Sequence, residues 1–195
     1  MSTAPGPWTD PPWRSPLDVE AYLRAIPSGA TMTGMFLEGT AKLARDKGYT
    51  IAAARPRYTS FQTYPLNEHC QVLVEVARTL YPAVPLREGL RRIGRGAPYV
   101  LMRSTVGRVV LGAAEGPVSI FEAMARSYSL HMRPSVLAVE PVGTNAVVIR
   151  LSEIYNFLDC HNVGVFEGVL QYAGVDGSVR ICSYTRTSAD FLCEW

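Results

Sequence analysis

The chain is 195 residues long, 48% hydrophobic and 18% charged, with a formal net charge of +2. That length supports one compact domain burying roughly 70% of its unfolded surface without a disulfide or metal staple, and the composition excludes a disordered chain. The small charge, carried by Arg rather than Lys, offers no field for nucleic acid, and no uncharged apolar run reaches the roughly 18 residues that would cross a membrane.

Residues 1–14 are rich in proline, carry Trp8 and Trp13, and read as an extended tail; they lack the charged start and apolar run of a secretory leader. Two roles are open to such a tail: a loose lead-in, or a strap whose tryptophans dock on the body. The body is expected as one domain over 15–195, with helices over 15–130 and a ββαββ unit over 134–195. Ser15 to Asp18 form a capping pattern ahead of Val19, Tyr22, Leu23 and Ile26, a short helix stopped at Pro27 to Gly29.

Met32, Met35, Phe36, Gly39 and Leu43 define one face of the next helix, which Gly48 ends. Residues 49–64 have no clean period and read as a long loop, a lid or a mobile link. From Pro65 a second stripe runs through Leu66, Cys70, Leu73, Val74, Ala77 and Leu80, with His69 at its border and Cys70 as a core thiol. Pro85 opens a third helix that closes near Gly94 and Gly96, and its Arg87, Arg91 and Arg95 read as a solvated row. Pro98 then starts a fourth helix to about Gly112, apolar nearly all round, and Gly116-Pro117 a fifth over Val118 to Tyr128.

The remainder alternates. Two strand-like runs lie between Ser135 and Leu151, with a turn at Gly143 to Asn145, and two between Val179 and Trp195. Between the pairs, Asn162 to Gly174 forms a helix with a wide apolar arc around Val163, Phe166, Val169 and Leu170, and with Gly164, Glu167, Gly168 and Gln171 opposite. Strand, strand, helix, strand, strand predicts an α+β fold in which an N-terminal helical layer packs on a four-stranded antiparallel sheet.

The runs GMFLEGTAKLARDKGY, LYPAVPLREGLRRIG, MRPSVLAVEP and GVFEGVL, with the final EW, resemble an uncharacterised family of paralogous proteins known mainly from myxobacteria. That family is similar in layout to haem nitric oxide and oxygen-binding domains and to vinyl-reductase-type sensor domains. The resemblance implies a small-molecule pocket between helices and sheet; with the lack of a leader or membrane span it leads to the expectation of a cytoplasmic, non-enzymatic sensor, with a haem or gas sensor as a lesser alternative. Haem is not expected, however. The helix before the first strand carries no histidine in its interior, His131 falls at its end, and of the propionate-holding Tyr-x-Ser-x-Arg triplet only Ser152 is kept.

No cofactor is therefore expected. Tyr99, Met102, Phe121, Met124, Tyr128 and Phe166 are the expected lining of a pocket for a small, largely apolar ligand, and the same side chains would equally fill a closed core. A closed core would leave a scaffold, a homodimer or a protein partner as the role. Asp159-Cys160-His161 is the most reactive-looking triplet and the basis of an enzyme reading, but neighbours on a helix face different ways. The three histidines and four cysteines show no zinc-ligand spacing, and in a reducing compartment the cysteines are expected as thiols. A final turn centred between Thr187 and Ser188 would place Cys182 opposite Cys193.

Overall fold

A computed structural model describes residues 7–104, 107–109, 114–182 and 184–195. Helix α1 (Val19–Ala25) is capped by the Asp18 carboxylate, which accepts from the Ala21 N–H at 2.9 Å. Strand β1 (Thr31–Thr33) leads into α2 (Gly34–Arg45), β2 (Thr63–Pro65) into α3 (Leu66–Leu80), and α4 (Leu86–Arg103) follows. Helix α5 (Gly116–His131) continues into β3 (Met132–Arg133). The rest is β4 (Val136–Pro141), β5 (Ala146–Ser152), a π-helical turn (Leu158–Asn162), α6 (Val163–Tyr172), β6 (Ser178–Cys182) and β7 (Ala189–Glu194).

The large sheet is antiparallel in the order β4-β5-β7-β6, so the expected α+β layout and both hairpins stand. Alternation selects its buried face. Val147 lies opposite Cys193, Ile149 opposite Phe191 and Leu151 opposite Ala189, all buried. Phe166 of α6 sets its ring 5.0 Å from Phe191 and 6.1 Å from Phe121 of α5, joining both helices to that face.

A second sheet, β2-β1-β3, ties the starts of α2 and α3 to the end of α5, with Met32 opposite both Tyr64 and Met132. Strands of two or three residues leave too few positions for a period of two to register. Met32 therefore stands in a strand, and the helix expected to include it begins at Gly34.

Three further expectations are corrected. The third and fourth predicted helices are one: α4 runs through Gly94, Gly96 and Pro98 to Arg103, although Pro98 withholds an N–H from the ladder. The positions Val106, Val110 and Leu111 of the predicted fourth helix lie outside the described residues. The glycine side of α6 packs on α4. A Cβ on Gly164 would collide with the carbonyl of Arg91, one on Gly168 with that of Arg95, and one on Gly94 with that of His161. Glycine thus lets α4 lie directly on α6, and α6 is sandwiched between α4 and the sheet.

The arginine row of α4 is not solvated. Arg87 pairs with Asp159, while Arg91 and Arg95 converge on Glu167. The final hairpin, lastly, sets Cys182 opposite Asp190 and Cys193 opposite Val179, because its turn is centred at Arg186 rather than between Thr187 and Ser188. Cys70, Cys160 and Cys193 are buried free thiols.

The N-terminal segment lies along the body from Pro7 onward. Thr9 exchanges two backbone hydrogen bonds of 2.9 Å with Ile181 on the outer edge of β6. Trp13 receives the Arg91 guanidinium 4.8 Å above its ring.

Candidate functional site

Between α2, the second half of α4, the end of α5 and the π-helical turn lies a cavity of about 80 Å³. One wall is the α2 stripe, Phe36, Gly39, Thr40 and Leu43, and another is Ile93, Gly96, Ala97, Pro98, Val100 and Leu101 of α4. Met124, Ser127, Tyr128 and His131 of α5 close the third side, and His69, Asn156, His161 and Asn162 form the floor with Val165. Each element meets the cavity through the face that sequence periodicity turns inward, so apolar carbon dominates the lining.

Of the residues expected to line a pocket, Met124 and Tyr128 border this cavity. Met102 is buried in the helical layer. Phe121 and Phe166 meet edge to face and fill the core against the sheet. Tyr99 is partly exposed and stands edge-on to Tyr172, 5.8 Å away.

Sequence reasoning missed the polar floor. All three histidines of the chain line the cavity, and each keeps one ring nitrogen buried without a hydrogen-bond partner: Nδ1 of His69, Nε2 of His131 and Nδ1 of His161. His69 and His161 are only 2% and 5% exposed, with ring centroids 6.4 Å apart and planes nearly perpendicular. His131 is oriented by Thr33, whose Oγ1 lies 3.3 Å from Nδ1, and by the ring of Phe36. The only hint in the sequence is His69 at the edge of the α3 stripe. Residues 69, 131 and 161 have no spacing that predicts their meeting.

Burial sets the charge state. It lowers the pKa of His69 to about 3, with the neighbouring His161 adding to the effect, and that of His161 to about 4. His131 is lowered for the same reason, and burial raises the Tyr128 hydroxyl. All four are neutral near pH 7, and no Asp, Glu, Lys or Arg stands among the described lining residues. Asn162 and its neighbours bond to one another instead: Tyr128 donates to Asn162 Oδ1 at 3.1 Å, and Asn162 Nδ2 donates to Asn156 Oδ1 at 2.9 Å.

The opposite face of the π-helical turn is built from charge. Asp159 accepts from Arg87 Nη1 and, at 3.3 Å, from the Tyr22 hydroxyl, while Arg87 Nε donates to the Ser15 carbonyl at 3.0 Å. Entry to the turn is strained, since Phe157 is a non-glycine residue at φ 58 with its ring 5.2 Å from Tyr22. Cys160, between these faces, is fully buried with its Sγ directed to the Phe157 carbonyl, and burial raises its pKa. A protonated, enclosed thiol is not an activated nucleophile.

Comparison with known proteins agrees with the fold. Residues 25–195 match the family described as a protein of unknown function, DUF2378. No curated protein matches the sequence. Among solved structures the fold is similar to the Fe(II) unliganded H-NOX protein from K. algicida, at 15% identity and a TM-score of 0.63, covering 84% of this chain and 96% of that one. The S. oneidensis H-NOX protein in its Fe(II)NO state gives 15% identity and 0.62, covering 84% and 98%. An oxygen-binding H-NOX domain related to soluble guanylate cyclases gives 15% and 0.58, covering 83% and 91%.

Proposed function

The chain belongs to the DUF2378 family, and from that membership and its H-NOX fold we propose that it is a haem-free, non-enzymatic sensor domain of the cytoplasm. Its ligand is a small, largely apolar molecule held within the helical layer, among α2, α4, α5 and the π-helical turn rather than against the four-stranded sheet, with Met124 and Tyr128 among its contacts. Residues 15–195 act as one domain.

The observation that carries this reading is the apolar cavity enclosed by α2, α4, α5 and the π-helical turn. Haem is a poor fit to it. His131 Nε2 is a buried nitrogen without a partner that an iron could use, but about 80 Å³ is well below the roughly 300–1,000 Å³ of ordinary ligand pockets. The described lining also holds no cation to compensate carboxylates, and an unpaired buried carboxylate is costly. An apolar cavity of about 150 Å³ accepts benzene, so a molecule of a few heavy atoms suits this one.

Native mass spectrometry of protein purified from cells, set against the denatured mass, tests the reading directly. The expected result is added mass from a small organic molecule and no Soret band in the absorption spectrum. A Soret band would remove the haem-free reading. The exposed side chains of Phe61, Leu130 and Val136 favour a second role, docking of a protein partner or a second copy. A ligand-free dimer in light scattering would support that role instead.

A further inference from the structure

Two imidazoles on the cavity floor define the ligand more closely than its apolar walls do. His69 comes from the first turn of α3 and His161 from the π-helical turn. They face each other almost at right angles, more than nine-tenths buried, each with Nδ1 lacking a partner. The other polar side chains of the floor are already engaged, since Tyr128, Asn162 and Asn156 form a chain of hydrogen bonds. Buried nitrogens without partners are costly and rare in folded proteins. Both belong to residues that line one cavity, which points to a polar group that belongs beside the pair.

We propose that the cavity selects an uncharged ligand with one hydrogen-bonding group, a hydroxyl, amide or carbonyl, which is held by His69 and His161 while its apolar body lies against α2, α4 and Met124. This rests on the haem-free cavity reading and adds the chemical class of the ligand. Neutral imidazole offers one donor and one acceptor, so the pair can both give to and take from a hydroxyl. Neither a carboxylate nor an ammonium finds a counter-charge among the described lining residues, and either would be buried uncompensated. The unpartnered Nε2 of His131 makes a third contact available where α5 ends.

An isosteric series of probes tests this on the full chain by NMR titration: isobutanol, isopentane, isobutylammonium and isobutyrate. Isobutanol is expected to shift the imidazole 15N resonances of His69 and His161, and isopentane to move the methyl groups around the cavity without moving those nitrogens. The two ions are expected to bind at least ~100-fold more weakly than isobutanol. In His69→Phe or His161→Phe the preference for isobutanol over isopentane falls about tenfold. Comparison of the four probes on the unaltered protein stands even if a variant fails to fold.

Binding of isobutanol and isopentane that leaves the imidazole nitrogens unmoved, or an unchanged preference in folded variants, would overturn the polar-group inference and leave the cavity reading in place. Equal or tighter binding of either ion would do the same. No perturbation of cavity resonances by any probe removes both.

Discussion

The two faces of the π-helical turn Leu158–Asn162 are both buried and both polar, yet they are built on opposite rules. Asp159 on one face is met by Arg87 and Tyr22, and Arg87 in turn holds the Ser15 carbonyl. His161 on the other face meets His69 across a cavity, and each has a ring nitrogen that no described residue satisfies. A buried polar cluster with its bonds closed specifies structure, whereas one left open costs stability and is kept where a ligand completes it. One five-residue turn therefore separates a polar cluster whose bonds are closed from one whose bonds are open. Its π-helical form and the left-handed entry at Phe157 are features that concentrate at functional sites.

Acid separates the two faces with the largest effect. The folded-state pKa values of His69 and His161, about 3 and about 4, lie below the unfolded value near 6.5. The unfolded chain binds more protons throughout that gap, so stability is complete above about pH 6.5 and falls as the pH drops toward 4. Each histidine contributes on the order of 3 kcal/mol to the loss. Urea unfolding followed from pH 7 to pH 4 measures it. The Glu68 carboxyl, lowered chiefly by its hydrogen bond from Arg55, loses its contribution only below the ordinary carboxylate range, which keeps the windows distinct. A flat profile between pH 6.5 and 5 would show that the histidines are not buried in neutral form.

Asp159→Ala attacks the closed face. It leaves the Arg87 guanidinium, whose side chain is 10% exposed, buried beside an empty place, and the expected cost is about 3 kcal/mol in urea unfolding at pH 7. A loss below about 1 kcal/mol would reclassify the pair as solvent-screened. The contact between the turn and α4 is tested next by Gly94→Ala, whose new methyl collides with the His161 carbonyl and costs about 2 kcal/mol. Gly96→Ala two residues on is the control, because a Cβ there meets nothing within 4 Å; it gains up to about 1 kcal/mol from helix propensity. Equal effects from the two would mean that α4 does not rest on the turn.

What could be read from residue order follows the range of the forces involved. The large sheet was legible because a period of two runs over five to seven residues in β4 to β7, and α3 because its stripe is long. The α2 stripe that lines the cavity was visible as a stripe but not as a wall. The continuity of α4 was hidden by Gly94, Gly96 and Pro98, residues that locally read as stops and are overruled by packing on α6. The glycines of α6 were visible opposite its apolar arc, but their physical role, the close approach of a neighbouring backbone, was not. The histidine floor had no local signature, since it is assembled from α3, α5 and the turn only when the chain is folded.

His69→Phe is expected to have the smallest effect on stability, and it carries the most information about the open face. The substitution removes a ring whose Nδ1 has no partner and puts an apolar ring of similar shape in its place. Deleting an unsatisfied buried group is close to neutral or stabilising, by up to about 1 kcal/mol at pH 7 in ligand-free protein. The variant should also lose its share of the acid sensitivity, so the stability gap between variant and parent widens in the variant's favour as pH falls. Asp159→Ala and His69→Phe thus alter polar groups buried to similar depth and should move stability in opposite directions. If His69→Phe instead costs about 2 kcal/mol or more, the imidazole is held by bonds of its own within the folded chain, and the floor of the cavity belongs with the clamp.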